Sequence, residues 1–341
     1  MLMSNIAAEC NSLYGSELNT AQICTAPTGV TEANATTGWT NYFGMCNIFT
    51  SDAGDPQLGT YELALGYSNS GLCHGFYAFP TLTDGTVYKI NYYAKYITGT
   101  ASWTSWPIRD IFTSTNIGQR VAIPSSQTAY ALVTHYNVGG TYSFLYIGGA
   151  TSNSIIHVDN ISLKTATLCY GSELFTSANA ASLSPNEANA TTGFTSRNSP
   201  DVFTSTTSNC LDGTYCINIT GAGNGTVGNE ASFYMDLSQS PYSLQTGHKY
   251  LIRYSYRHNG VGTKPWMCGF SGALTGGSVF MGPPSREQWN GSTTYTRGDA
   301  VFIYDVSLHK YFGCTEGIYG DSGGLSGIYF DRLSIREIIK E

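Results

Sequence analysis

The sequence predicts an all-β chain made of two tandem jelly-roll β-sandwiches. Three observations predict it. Residues Thr31 to Thr40 (TEANATTGWT) return as Asn186 to Thr195 (NEANATTGFT), so the chain contains a duplication. One Tyr-rich segment in each half alternates apolar and polar residues with a period of two, the mark of a half-buried strand. The composition, 39 Gly and 25 Tyr with only 11% charged residues, suits short strands joined by turns, and helical periodicity is absent outside the final EIIKE.

The duplication runs through the chain. Tyr14 to Leu18 (YGSEL) recurs as Tyr170 to Leu174, Asp84 to Tyr96 (DGTVYKINYYAKY) answers Thr246 to His258 (TGHKYLIRYSYRH), and Val158 to Leu163 (VDNISL) answers Phe330 to Ile335 (FDRLSI). The matches keep their order while their spacing, 156 and 155 residues for the first two, widens to 162 and 172, so the second copy carries insertions. A repeat of this length is a domain, because solenoid repeats span about 20–50 residues. The division expected is a tail over 1–12, a first sandwich over 13–166 and a second over 167–341.

Taken in order, YGSEL reads as a first strand and the segment ending in TTGWT as a second. Asp52 to Gln57 (DAGDPQ) is a turn by composition. Short strands follow at Tyr61 to Tyr67 and Gly75 to Phe79. In the strand Thr86 to Ile97, the residues Tyr88, Ile90, Tyr92, Ala94 and Tyr96 share one face, and Lys89, Asn91, Tyr93 and Lys95 the other. Its copy places Tyr250, Ile252, Tyr254 and Tyr256 against Arg253, Ser255 and Arg257. Later strands are expected at 128–136, 141–147 and 155–164, matched by 300–306, 310–314 and 327–335. Many short strands with turn signals between them fit a Greek-key sandwich.

Bulk properties exclude several partners. A net charge of −7, with 16 Lys+Arg and no basic run, leaves no footprint for a phosphate backbone, so nucleic acid is not expected. No stretch approaches the roughly 18–20 apolar residues of a membrane span, so no membrane insertion is expected. The opening MLMSNIAAEC has neither a basic region nor an apolar run of signal-peptide length. The 9 cysteines do not superpose on the repeat, which argues for buried thiols over a shared disulfide framework. Cys210 with Cys216 is the best single bridge in an oxidising compartment. There is no CxxC, and no Cys/His cluster has zinc spacing.

The order GSEL, TTGWT, DGTVYKINYYAKY and terminal VDNISL resembles carbohydrate-binding modules of the family 4/9 type, within the galactose-binding-like jelly rolls. A GSEL opening followed by GWT also resembles modules repeated in bacteriophage fibre and other virion surface proteins. The resemblance implies a non-catalytic binding fold, a glycan ligand and a structural calcium. Family members follow the opening with an Asn-Gly-Asp-Phe-Glu segment that helps hold that calcium. This chain reads AQICT (Ala21 to Thr25) and SANAA (Ser177 to Ala181) there, without the Glu.

Several residues invite chemistry. Gly320 to Gly324 (GDSGG) matches the segment around the nucleophile of trypsin-like proteases, with Ser322 as the hydroxyl. That mechanism needs a histidine base and a buried aspartate, and none of the 6 His lies in the Ala-His-Cys context of that family. A Gly-rich turn before the last strand is the better reading. Asp159 and Asp331 sit in the apolar phase of their strands, so each carboxylate is expected inside with a partner: Ca2+, or else backbone or Arg donors. Glu17 with Glu173 and Glu32 with Glu187 occupy repeated positions that suggest structural duty, with no acid/base pair for glycoside hydrolysis.

Planar rings stack on the apolar faces of sugars, which makes Trp103, Trp106, Trp266 and Trp289 the glycan-binding candidates. Trp39 reads as core, because Phe194 replaces it. The chain is expected to be non-catalytic. The leading expectation is a bacteriophage virion surface protein, a fibre, decoration or tail-associated component, whose partners are other virion subunits or itself; the alternative is a secreted or cell-surface protein that binds cell-surface or extracellular polysaccharide, or a module of a glycan-degrading enzyme.

Overall fold

The computed structural model describes residues 14–18, 36, 38–41, 46–57, 61–67, 72–100, 102–110, 115–116, 121–139, 144–150, 153–174, 191, 193–198, 200–211, 213–221, 231–240, 242–261, 266–274, 282–288, 293–316 and 326–340. They form two compact units, one ending at Leu168 and the other beginning at Cys169.

The first unit comprises β1 (Tyr14–Glu17), β2 (Trp39–Asn41), β3 (Ile48–Asp52), β4 (Glu62–Tyr67), β5 (Leu72–Ala78), β6 (Val87–Thr98), β7 (Trp103–Asp110), β8 (Thr115–Asn116), β9 (Val121–Ile123), β10 (Ala131–Val138), β11 (Phe144–Ala150) and β12 (Ser154–Ala166). One antiparallel sheet has the order β10-β6-β12-β4-β3 with β1 on β12; the other runs β2-β5-β11-β7-β8 with β9 on β7.

The second unit comprises β13 (Cys169–Glu173), β14 (Thr195–Arg197), β15 (Val202–Thr206), β16 (Cys216–Thr220), β17 (Ser232–Asp236), β18 (Lys249–His258), β19 (Trp266–Ser271), β20 (Gly282–Gln288), β21 (Thr296–Ile303), a one-turn helix α1 (Val306–His309), β22 (Tyr311–Glu316) and β23 (Gly327–Lys340). Its sheets run β15-β16-β23-β18-β21, with β13 on β23, and β14-β17-β22-β19-β20. Among the described residues these are the orders of the first unit, except that β20 alone edges β19 where both β8 and β9 pair with β7. The duplicated sequence is a duplicated topology, all-β and sandwiched as expected.

Each core lies between its two sheets. In β6 the inward Tyr88, Ile90, Tyr92, Ala94 and Tyr96 are buried, and in β18 Tyr250, Ile252, Tyr254 and Tyr256. Side chains alternate across a strand, so the period of two becomes one buried face. Each fully buried aliphatic or Phe side chain contributes about 1.5–3 kcal/mol. Trp39 and Phe194 sit at matching places in their respective cores.

The fold departs from expectation in three places. Residues of the C-terminal EIIKE extend β23, where Ile338 pairs with Tyr170 and Lys340 with Cys169, so they form no helical turn. Among the described residues the helix is instead α1, capped by Asp305, whose carboxylate accepts the Ser307 N–H at 2.8 Å. Cysteines pair more than their spacing suggested: Cys210–Cys216 is joined by Cys46–Cys73 and Cys268–Cys314. Cys268 and Cys314 lie directly opposite on β19 and β22, a neighbourhood created only by sheet pairing.

Candidate functional site

The two sequence-predicted aspartates sit at the same irregularity. On β12 the register moves three residues, Asp159 to Ser162, against two on β6, and on β23 Asp331 to Ser334 against two on β18. Each is a one-residue β-bulge. The residue after each aspartate has a positive φ, 53° at Asn160 and 57° at Arg332. The bulge resets the phase. Val158 and Phe330 already belong to the cores, so the aspartates alternate away from the sandwich interior, yet both remain fully buried.

Backbone amides partner them. Asp159 Oδ1 accepts the Asn160 N–H at 2.6 Å, and Asp331 accepts those of Arg332 and Leu211, both at 2.7 Å. Leu211 belongs to the loop after β15, so Asp331 ties that loop to the bulge. Glu173 plays a related part, since its carboxylate accepts the Ile335 N–H at 2.8 Å and the Arg336 Nε–H at 3.1 Å.

Two clusters of described residues could bring ligand atoms together for a metal: Asp52, Glu62 and His157, and Cys210, Cys216 and Asp331. In the first, the Lys95 ammonium already supplies positive charge, 3.2 Å from Glu62 Oε2 and 3.1 Å from Asp55 Oδ2, while His157 Nδ1 lies 2.5 Å from Glu62 Oε1. In the second, both sulfurs belong to a disulfide. Neither composition specifies calcium. Their positions correspond, however. Asp52 pairs with Glu62 across β3 and β4, and Thr206 with Cys216 across β15 and β16. The loop after β3 is therefore held by ion pairs where the loop after β15 is held by a disulfide.

The SWTSW strand splits its tryptophans between two faces. Trp103 points inward and is 1% exposed, and its counterpart Trp266 is 0% exposed. Each indole is held by a serine at the start of the last strand. Trp103 Nε1 donates to Ser154 Oγ at 3.1 Å, which also bonds the Tyr96 hydroxyl at 2.5 Å. Trp266 Nε1 donates to Ser326 Oγ at 3.2 Å, which also bonds His258 Nε2 at 3.3 Å. These two rings are core elements that no sugar reaches. Trp289 and Ser322 lie outside the described residues.

Trp106, three positions on, faces outward and meets residues that the sequence reading did not single out. Tyr146 of β11 stands directly across from Trp106 on one side and Phe76 on the other, giving a row of three rings on three adjacent strands. The Trp106 and Tyr146 ring centroids are 4.2 Å apart, and Tyr146 lies 5.2 Å from His74. Phe76 makes an edge contact with Phe144 at 5.6 Å. Burial pushes the His74 imidazole below its ordinary pKa, which favours the neutral ring.

Two glycines shape this floor. A Cβ on Gly148 would come within 2.6 Å of the Tyr146 ring, so the ring lies down along its own strand. A Cβ on Gly149 would meet Trp103 at 2.5 Å on the opposite face. The signal in the sequence was FLYIGG, an alternating strand ending in two small residues.

The same place in the second unit is bare. Tyr234 corresponds to Phe76, but Gly313 and Gly269, directly opposite each other, stand where Tyr146 and Trp106 are. The neighbouring row carries Arg197, Ser232, Thr315 and Met267 across four strands.

The interior of the first unit also brings Ser105 within 2.9 Å of His135 Nε2, with the Tyr92 hydroxyl donating to the same serine. Ser105 is fully buried and His135 nearly so. The arrangement satisfies polar groups inside a core and offers no access to a substrate.

No protein-family model matches the chain, and no curated protein does. Among solved structures it is similar to the N-terminal CBM22-1-CBM22-2 tandem domain of Xyn10C from Paenibacillus barcinonensis, at 13% identity over 95% of this chain and 98% of that one, with a TM-score of 0.34. It is also similar to the C-terminal family 22 carbohydrate-binding module of Clostridium thermocellum Xyn10B, at 12% identity over 38% of this chain and 86% of that one, TM-score 0.31. A third similar structure is the enzymatically active domain of bacteriophage CBA120 tailspike protein 4, at 12% identity over 41% of this chain and 21% of that one, TM-score 0.32. Likeness at this level carries no argument about ligand or setting.

Proposed function

We propose that the chain is a non-catalytic polysaccharide-binding protein whose first sandwich holds a neutral glycan on the floor formed by Phe76, Tyr146 and Trp106. The observation that carries this reading is the single row of three rings across β5, β11 and β7. Sugar rings stack on such a surface through their apolar faces, while His74 and Thr104 beside the row offer polar atoms to hydroxyl groups. Interior aromatics need no outward row, and these rings face away from the core. Trp106 and Tyr146, with His74 and Phe144 beside them, retain partial exposure and carry the contact surface, whereas Phe76 is buried at 6% and closes the row on the β5 side.

The three described disulfides favour an extracellular setting over assembly in a cytosol, because such bonds persist in oxidising compartments. A virion surface role, with other subunits or further copies as partners, predicts a stable oligomer, whereas the extracellular reading is met by a monomer. Light scattering separates them.

The test is affinity electrophoresis through gels containing xylan, galactan, mixed-linkage glucan or soluble chitin. We expect retardation by at least one, abolished in Trp106→Ala with the melting temperature unchanged. Tyr146→Ala should give the same loss. Migration unaffected by every polysaccharide would refute the reading, as would retardation that survives both substitutions.

A further inference from the structure

The outer face of the β10-β6-β12-β4-β3 sheet carries a polar cluster away from the ring floor, which belongs to the other sheet of the first sandwich. Ile156, Val158, Leu63 and Leu65 lie in the core, so His157 and Glu62 alternate to the outside. There Glu62 pairs with Asp52 of β3, and His157 with Lys95 of β6. Two of these side chains are aimed at one another from fixed positions. Asp52 Oδ1 accepts the Gly54 N–H at 2.9 Å, and its Oδ2 points toward β12. His157 donates from Nδ1 to Glu62 Oε1, 2.5 Å away, which leaves Nε2 as the unprotonated nitrogen of a neutral ring. Among the described residues His157 Nε2 makes no hydrogen bond, although its side chain is only 10% exposed. It faces Asp52 Oδ2 across 3.8 Å, a gap too long for a hydrogen bond.

A metal ion fits between those two atoms. Bonds of about 2.0–2.2 Å to zinc at a tetrahedral angle put a nitrogen and an oxygen ligand about 3.4 Å apart, so Asp52 has to close by about 0.4 Å. Its side chain is 45% exposed, which permits that movement and opens the gap to solvent. Charge favours a cation as well. Asp52, Asp55 and Glu62 bring three carboxylates, and Lys95, 3.2 Å from Glu62 and 3.1 Å from Asp55, brings one ammonium, so two negative charges remain for a divalent ion. The hydrogen bond from Nδ1 to Glu62 is the one a metal-bound imidazole makes, because it fixes the tautomer and raises the basicity of the other nitrogen. Imidazole suits zinc, whereas calcium and magnesium take oxygen ligands.

We propose that His157 Nε2 and the Asp52 carboxylate form a Zn2+ site on the first sandwich, with Glu62 orienting the imidazole and water completing the coordination. The ion ties the end of β3 to β12. The second sandwich closes the corresponding corner with the Cys210–Cys216 disulfide. Two side-chain ligands make an exchangeable site, which loads when zinc is supplied and releases it on dialysis. Zinc binding here is independent of any glycan on the opposite sheet.

The experiment is calorimetric titration of the dialysed full chain with ZnCl2 at neutral pH, with CaCl2 and MgCl2 as controls. We expect one saturable Zn2+ site with a dissociation constant on the order of 10 μM, and no comparable binding of Ca2+ or Mg2+. His157→Gln keeps a donor for Glu62 but loses the imidazole lone pair, and Asp52→Asn keeps the oxygen that accepts from Gly54. Each should weaken Zn2+ binding by about tenfold or more, since even outer-shell partners of a metal site carry about 10–100-fold. His248→Gln, which removes a half-exposed imidazole of the second sandwich, should bind Zn2+ like wild type, and so should Trp106→Ala. Near-ultraviolet circular dichroism of the metal-free variants shows whether they are folded, and Asp52→Asn, altered at a half-exposed side chain, carries the test if His157→Gln is not. Four results overturn the proposal: no saturable Zn2+ binding, wild-type affinity in a folded His157→Gln or in Asp52→Asn, Ca2+ bound as tightly as Zn2+, or Zn2+ binding that His248→Gln removes. Failure of the glycan reading would appear separately, in the polysaccharide gels.

Discussion

Lowering the pH from 7 to 4.5 should destabilise the second sandwich, and His309 supplies much of the effect. Its ring is buried in α1 against Phe270 and Phe302, with centroids 5.1 and 5.3 Å away, and its Nδ1 accepts the Asp305 N–H at 3.1 Å. Burial lowers its pKa to about 4 from 6.5, partly offset by the Asp305 charge. The folded state therefore binds a proton less readily than the unfolded chain. Between those two values the unfolded state holds more protons, so this contribution is complete above about 6.5 and is lost as pH falls toward 4. A displacement of about 2.5 units is at most about 3 kcal/mol, of which about 2 kcal/mol is lost between pH 7 and 4.5. For a domain of this size that is a fall in Tm of about 4–8 °C. The assay is thermal unfolding of wild type and His309→Gln at both pH values, by near-ultraviolet circular dichroism. Carboxylates titrate equally in both proteins, so the difference of differences isolates His309. An equal drop in both proteins would refute the reasoning, and so would a wild-type Tm that does not move.

Three further outcomes follow from the cores and the bulges. Replacing Cys268 and Cys314 together by Ala removes a link spanning 46 residues and should cost about 4 kcal/mol on the loop-entropy model, read as a lower urea midpoint. Ser326→Ala leaves the Trp266 and His258 donors unpaired in a buried site, and Ser154→Ala does the same to the Trp103 indole. Each should lose about 1–3 kcal/mol in urea titration, whereas a loss below a few tenths would show that water replaces the hydroxyl. A calcium chelator should leave the Tm unchanged, because backbone amides already partner Asp159 and Asp331. A fall restored by added Ca2+ would assign those carboxylates to a metal after all.

Strands with a clean period of two were legible in the sequence. β6 and β18 announce their buried faces through alternating tyrosines, and the duplication confirms each from the other. Legibility stopped where a side chain's direction depends on something outside its own strand. Asp159 and Asp331 were expected to point into the sandwich. The positive φ at Asn160 and Arg332 resets the phase, and no short-range pattern marks a bulge at an Arg. Trp103 and Trp106 looked alike as a pair, but which one faces out depends on where Gly148 and Gly149 lie on the partner strand. Cys268 and Cys314 are far apart in the chain and opposite each other only after β19 and β22 pair. The helical reading of EIIKE failed for a similar reason: β13, distant in sequence, supplies the hydrogen bonds that draw those residues into a sheet.

The two outer loops are fastened at equivalent places by unlike means, Lys95 with Glu62 and Asp55 in one copy and Cys210 with Cys216 in the other. A thiol reductant severs the second fastening and has no bond to break in the first. Moved from an oxidising fluid into a reducing one, the protein thus becomes asymmetric: one half keeps every tie on its loop while the other falls back on the hydrogen bonds of Leu211 to Asp331 and of Asn209 to Tyr329, and duplicated domains that began as equals acquire separate tolerances to their surroundings.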